Sequence, residues 1–268
     1  MKRKVLVVGA LGRIGSSIAP TLFEEFDVRL IDCRTGSLCG KPVEAVDITD
    51  YNAIASVMEG VDCVIHLAIA SARAIFGDDV RYETELGDEY RQYSNACIEV
   101  NVRGTFNVFE AARVHGVKRF VYASSLTVLM GGRPEKTSDD MPRKPSNFYS
   151  VTKLWGEELG ALYSRVHGME VLCLRLGTPH PQPEAEKYEV WLKAPAGRRT
   201  FVTYEDLAGA IRQALVVEGV QYGAYTVVSD AEGMIYGFEK AKEFGWQPKH
   251  IIHQDGTYSL RDAASAKD

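Results

Sequence analysis

Long apolar runs are missing from this 268-residue chain: nothing approaches the roughly 18 consecutive apolar residues that cross a bilayer. The start, "MKRKVLVVGALGRIG", has a basic flank but turns to glycine too early for a signal peptide, so a cytoplasmic location and no membrane partner are expected. Cysteine is scarce and unpatterned. Cys33, Cys39, Cys63, Cys97 and Cys173 are odd in number and contain no C-x-x-C pair, which argues against a disulfide framework or a zinc site. The six histidines include no H-E-x-x-H, and no metal is expected. Lys and Arg form no basic stripe and the net charge is -5, so nucleic acid is not an expected partner. Repeats and low-complexity tracts are lacking too. With 46% hydrophobic and 25% charged residues the chain has an ordinary globular balance.

What is present is an alternation. "KVLVVGA", "DVRLID", "DCVIHLA", "KRFVYASS" and "EVLCLRLG" are short runs rich in Val, Ile and Leu that end near Gly, Asp or Ser, as buried parallel strands do. Between them, "RIGSSIAPTLFEEF", "DYNAIASVMEG", "VNVRGTFNVFEAARVHG" and "NFYSVTKLWGEELGALYSRVHG" repeat apolar residues at three and four, the helical period. The fold class expected is α/β: a Rossmann-type doubly wound parallel sheet with a small C-terminal substrate lobe. Past Gly177 the proline-rich "TPHPQPEAEKYEVWLKAPAGRRT" changes the texture. We therefore divide the chain into a nucleotide-binding domain over 1–176 and a smaller lobe over 177–268, whose helix "TYEDLAGAIRQALVVEG" and strand "AYTVVSD" return to the main domain.

Gly9, Gly12 and Gly15 stand between the first strand and the first helix. Such a turn lets backbone N–H groups approach a pyrophosphate, and the helix start adds partial positive charge. Asp32 ends the second strand, where a carboxylate accepts hydrogen bonds from the ribose hydroxyls and repels a 2′-phosphate, favouring NAD over NADP. Arg13 and Arg34 can each pair with a phosphate, which leaves NADP open.

Tyr149 and Lys153 lie four apart at the start of a helix and share a face. A free phenol, with a pKa near 10, is a poor base at neutral pH, and a neighbouring ammonium favours its phenolate. Such a tyrosine takes a proton from a substrate hydroxyl while hydride leaves the same carbon for nicotinamide. Ser124 and Ser125, at the end of the fifth strand, are candidates to orient the substrate oxygen.

In this combination the chain resembles the extended short-chain dehydrogenase/reductase family, also called the NAD-dependent epimerase/dehydratase family, from Lys4 to about His250. The resemblance implies NAD as cofactor and Ser125, Tyr149 and Lys153 as the catalytic group, with Lys153 also holding the nicotinamide ribose. Ser125 is preferred because it directly precedes "LTV". For the cofactor it implies Gly9, Leu11, Gly12, Arg13, Ile14 and Gly15 in the turn and Asp32 and Arg34 after strand two. Asp47 and Ile48 fall at the adenine, Leu67, Ala68 and Ile69 line the site, and Asn101, Tyr149, Lys153 and Leu176 complete the set.

Among compact members the chain is most similar to uronate dehydrogenases. That likeness implies a sugar-like substrate touching Ser71, Ser124, Leu126, Thr127, Gly177, Thr178 and Arg199. Two features depart from the group. Its Asn-His pair after the catalytic serine is replaced by Leu126 and Thr127, and its carboxylate-binding arginine has only Arg198 or Arg199 as a counterpart. The acidic stretch between His66 and Asn101 reads either as a lid or as a surface helix. His180 and Trp191 are open to either substrate contact or packing. The expected activity is oxidation of a hydroxyl of a free sugar, sugar acid or similar polyol. An epimerase or dehydratase that retains NAD, and a non-catalytic dinucleotide sensor, are the alternatives. The family's habit of pairing the Asn101 and Tyr149 helices implies a homodimer.

Overall fold

Strands β5 (Cys63–His66) and β6 (Arg119–Ser125) are buried at every position, as is β1 (Lys4–Val8) after its first residue. A strand can bury both faces only when helices cover both sides, and this is the arrangement found in the computed structural model. It describes residues 2–70, 87–131, 137–180, 200–253 and 257–261. With β2 (Asp27–Asp32), β3 (Gly36–Leu38), β4 (Lys41–Ala45), β7 (Glu170–Leu176) and β10 (Tyr222–Val227), these strands make an eight-stranded sheet. Its order is β10-β7-β6-β5-β1-β2-β4-β3. Every neighbour is parallel except β3, which closes the edge as an antiparallel hairpin on β4.

Alternation along each strand sends side chains to opposite faces. Val5, Val7, Leu30 and Val121 join Ile18 of helix α1 (Arg13–Ile18) and Leu207 and Ile211 of the later helix Tyr204–Val216 in one core. Leu6, Val8, Ile31 and Phe120 join Ile54 of α2 (Tyr51–Ser56), Phe109 and Leu159 in the other. Chain order reverses between β1 and β5, which lie side by side but are far apart in sequence. Their carboxyl ends therefore flank the crevice where open α/β sheets bind ligands.

On the second face run α3 (Asp88–Ala96) and α4 (Thr105–Val114), joined by a π-helix over Cys97–Gly104. Helix α5 (Phe148–His167) packs beside them, and α6 is Tyr204–Val216. Short strands β8 (Thr178–His180) and β9 (Phe201–Thr203) pair with each other. Strands β11 (Asp230–Ala231), β12 (His250–Ile252) and β13 (Tyr258–Leu260) form a third small sheet.

Three elements differ from the sequence reading. The first helix stops at Ile18 and tightens into a 3-10 turn over Ala19–Leu22, where Pro20 offers no N–H to continue the α-helical ladder. The β3–β4 hairpin was not foreseen, because Val43 is its single buried side chain and leaves no apolar pattern. The helix carrying Asn101 is continuous with one that begins at Asp88, none of whose residues is buried before Cys97. Of the stretch read as a lid or a surface helix, residues 71–86 lie outside the described residues, and 88–96 are helical, half-buried at Tyr93, Ser94 and Ala96 and exposed elsewhere.

Candidate active site

The glycine turn is dictated by close approach. Gly9 has a left-handed φ of +88°, and a Cβ there would sit 2.7 Å from the main-chain nitrogen of Ala68 at the end of β5. A Cβ on Gly15 would press against Ala10 at 2.8 Å. Only glycine allows the turn to fold this tightly against both neighbours. Above Gly12 a Cβ would meet a single atom, the Gly9 oxygen, at 3.2 Å, so the mouth of the turn is open to a ligand. Asp32 is buried at the same end of the sheet and accepts the Leu11 N–H through Oδ2 at 3.0 Å. Its Oδ1 lies 3.5 Å from Nε of the exposed Arg34. Glycine cradle and buried carboxylate are the donor and acceptor set that a dinucleotide's pyrophosphate and ribose require.

Helix α5 starts cleanly because Asn147 caps it, accepting the Ser150 N–H at 2.9 Å. That cap brings Tyr149 and Lys153 to the first turns. The Ser125 turn is tied to the same place. The Ser146 N–H donates to the Thr127 carbonyl at 3.2 Å and the Lys144 N–H to the Val128 carbonyl at 2.9 Å. Ser125 and the start of α5 are thus parts of one hydrogen-bonded unit.

Lys153 is 2% exposed, and its Nζ donates to the Ala123 carbonyl at 2.7 Å. It also lies over two aromatic rings, 5.0 Å from the centre of Tyr122 and 5.7 Å from that of Tyr149. Burial pulls its pKa from the ordinary 10.5 down to about 7, a displacement the Cys97 thiol opposes. His66, facing the same region, is held neutral: burial, with the Lys153 charge adding to it, lowers it to about 3. Its Nε2 pairs with Thr105 Oγ1 at 3.0 Å.

Asn101 braces these parts. Buried in the π-helix, it accepts the Ala70 N–H at 2.7 Å and donates to Thr152 Oγ1 at 3.0 Å, and Thr152 donates in turn to the Tyr149 carbonyl at 2.8 Å. One side chain therefore links the end of β5 to the Tyr149 turn. π-Segments often mark functional sites, and here the wider turn sets Asn101 facing both elements.

Several candidates fall elsewhere than the sequence reading placed them. Ser124 points to the α5 side, where its hydroxyl donates to the fully buried Glu157 at 2.6 Å; consecutive strand residues face opposite ways, so it is taken from the crevice that Ser125 reaches. Leu126 is 2% exposed and packs in the core rather than toward a substrate. Thr127 turns its hydroxyl onto Ser125, donating at 2.9 Å. Arg13 is not held back for a phosphate: it donates to the Pro179 carbonyl and to the Tyr204 hydroxyl.

Asp47 is exposed and accepts from Thr49, whereas Ile48 is buried against Gly104. Leu67 and Ala68 are half-buried and Ile69 is exposed beside the crevice; Ile14 and Leu176 pack on the core. Gly177 is buried against Thr200, and Thr178 pairs with Thr200 across β8 and β9. Ser71, Trp191, Arg198 and Arg199 lie outside the described residues, as does the side chain of His180. The residues the sequence did not single out are Tyr122, Thr152, Glu157 and Arg175. Tyr122 was detectable in principle, since it stands two positions before Ser124 on the face that α5 covers. Among the described residues, no helix is long and apolar enough to cross a membrane and no group of ligating side chains is arranged for a metal.

A doubly wound sheet with a glycine cradle, a strand-two carboxylate and a Ser/Tyr/Lys group defines an NAD-dependent enzyme of the short-chain dehydrogenase/reductase type. The chain belongs to the NAD-dependent epimerase/dehydratase family, whose profile matches residues 5–227, and NAD is its cofactor. It is 29% identical to the uronate dehydrogenase of Pseudomonas putida over 98% of this chain and 88% of that protein. It is 28% identical to the NAD-dependent glucose-6-phosphate dehydrogenase of Haloferax volcanii, over 93% and 94% of the two chains. Among solved structures it resembles glucuronic acid dehydrogenase from Chromohalobacter salexigens, with a TM-score of 0.74 and 26% identity over 92% of this chain and 85% of that one.

Proposed function

We propose that the protein oxidises a hydroxyl of a free sugar or sugar acid, with Tyr149 as general base. The observation that carries this reading is the Lys153 ammonium, buried, fixed to the Ala123 carbonyl and set over the Tyr149 ring. A cation held there favours the Tyr149 phenolate, which accepts the substrate's hydroxyl proton. Ser125 donates its own hydrogen to the same substrate oxygen, and Lys153 also holds the nicotinamide ribose. Bound NAD supplies the hydride acceptor. Gly9, Leu11, Gly12, Ile14 and Gly15 take the pyrophosphate, Asp32 the adenosine ribose, Asp47 and Ile48 the adenine, and Leu67, Ala68, Ile69 and Leu176 the walls. Gly177 and Thr178 border the substrate, and of the residues outside the described set Ser71 and Arg199 remain candidates to bind it.

Support for a net dehydrogenase over an epimerase comes from the relatives' chemistry. Uronate and glucose-6-phosphate dehydrogenases match this chain nearly end to end. The test is NADH formation from NAD with hexuronic acids, aldoses and polyols, using Tyr149→Phe as control. Turnover lost in the variant supports the reading. NAD that co-purifies and no NADH from any sugar would point to internal redox chemistry instead.

The same reading includes a homodimer. Ile98 and Phe106 on one helical run, and Val151, Trp155 and Leu162 on α5, are exposed large apolar side chains at helical spacing on two packed helices. Pairing two copies across this face covers them. Sedimentation of the wild type against Trp155→Glu tests it, with a monomer expected only in the variant.

A further inference from the structure

Lys153 is almost wholly buried, yet the site requires it to be a cation. Its surroundings supply little opposite charge. From β5 it faces neutral His66, from the π-helix Cys97, from its own helix Tyr149 and from β6 Tyr122. Behind Tyr122 lie Cys173 and Glu157, and Glu157 is already bound to Arg175 at 2.8 Å. No carboxylate is within ion-pair distance of Lys153 among the described residues.

The partners that remain are the Ala123 carbonyl at 2.7 Å and the Tyr122 ring, whose centre lies 5.0 Å from the ammonium. That separation is within the roughly 6 Å over which an aromatic face attracts a cation, and the attraction grows as water is excluded. Tyr122 is 1% exposed. Its hydroxyl has no hydrogen-bond partner among the described residues, so what it offers the site is the ring. Burial holds that phenol far above its ordinary pKa, which removes it as a rival base to Tyr149. The ring can lie under α5 because residue 156 is glycine: a Cβ there would come within 2.5 Å of ring carbon Cε1.

We infer that Tyr122 is a positioning residue whose ring face holds the Lys153 ammonium against the Ala123 carbonyl and keeps it charged beside Tyr149. The inference rests on the Tyr149 and Lys153 reading of the site, and it assigns to the ring what a carboxylate would otherwise do.

The test is an isosteric series at position 122 in the full chain: Tyr122→Phe, then difluoro- and trifluorophenylalanine introduced at the same codon. Fluorine withdraws electron density from the face while leaving the shape nearly unchanged, so a packing role does not follow the series. Lys153 is titrated by NMR with isotope-labelled lysine and assigned by its loss in Lys153→Met. Tyr122→Phe is expected to titrate near the wild type. The midpoint should then fall stepwise with fluorination, by about one pH unit across the series. An unchanged midpoint, or one that does not follow the fluorine order, overturns the inference. NADH formation by the same proteins separates the two claims. A wild type silent on every sugar whose Lys153 still follows the series refutes the substrate reading alone, and an active wild type whose Lys153 ignores the series refutes this inference alone.

Discussion

The Lys153 ammonium donates to the main-chain oxygen of Ala123 at 2.7 Å, two residues before Ser125. The bond fastens α5 to the end of β6, so the residues that would move the proton and the residue that would hold the substrate oxygen are set by one contact. The contact also carries a cost, because a cation in a site only 2% exposed has lost nearly all its water.

That cost should appear in stability. The folded lysine titrates near 7, and its ordinary value is 10.5. Between these values the unfolded chain binds more protons than the folded one, so stability should rise with pH across this window. Below about 7 both states hold the proton, and the full cost of burying the charge is present. Urea unfolding of the wild type against Lys153→Met should show the rise in the first and its loss in the second. The methionine variant should also lose turnover by about 10²–10⁴-fold.

Ser124 and Ser125 should separate stability from activity. Ser124 donates to Glu157, which also pairs with Arg175 in a network that reaches Asp139 and Thr226. Ser124→Ala leaves a buried carboxylate short of one donor and should cost about 1–3 kcal/mol of unfolding free energy. Its kcat should remain near that of the wild type. Ser125→Ala should keep the wild-type melting temperature within a few degrees and lose turnover by about 10²-fold or more. Thermal melts and initial rates on both variants decide it, and the reverse pattern would exchange the two assignments.

Thr127 offers a finer test. Its hydroxyl donates to Ser125 Oγ at 2.9 Å and its N–H at 3.3 Å, so the Ser125 oxygen is filled as an acceptor and its own hydrogen is left to donate outward. Thr127→Val keeps the shape and removes the hydroxyl. We expect kcat to fall about tenfold with KM little changed, and Thr127→Ser to restore it. A large rise in KM with unchanged kcat would instead make Thr127 a substrate contact.

How much of this was legible in the sequence depends on whether the signal was local. Strands β1, β5, β6 and β7 announced themselves because burial on both faces leaves unbroken apolar runs. The glycine turn, Asp32 and the Tyr149 and Lys153 pair were readable because each lies at a fixed place relative to a strand or helix end. The β3–β4 hairpin, with one buried side chain, carried no such signal. Asn101 was visible as a residue but not as a brace, since its partners Ala70 and Thr152 are 31 and 51 residues away. The contact of Tyr122 with Lys153 is likewise tertiary, whereas Thr127 bonds Ser125 only two residues away, through a 3-10 turn that leaves no mark in the residue pattern. What distinguishes Ser124 from Ser125 is strand alternation, and it becomes informative only once α5 is known to cover the Ser124 side.

His66 provides the last prediction, at the acid end. Its imidazole is 1% exposed and is held near 3 by burial and, secondarily, by the Lys153 charge, against an ordinary 6.5. As pH falls from 6.5 toward 3 the unfolded chain takes up a proton that the folded chain refuses, so stability is lost over that interval. The displacement corresponds to at most on the order of 5 kcal/mol, a large share of a typical domain's stability. His66→Gln, which cannot protonate but can still reach Thr105, should flatten this acid limb while lowering stability at neutral pH by about 1 kcal/mol through poorer packing. Denaturant midpoints at several pH values on the two proteins measure it. An acid limb of equal slope in both would show that groups other than His66 carry the loss.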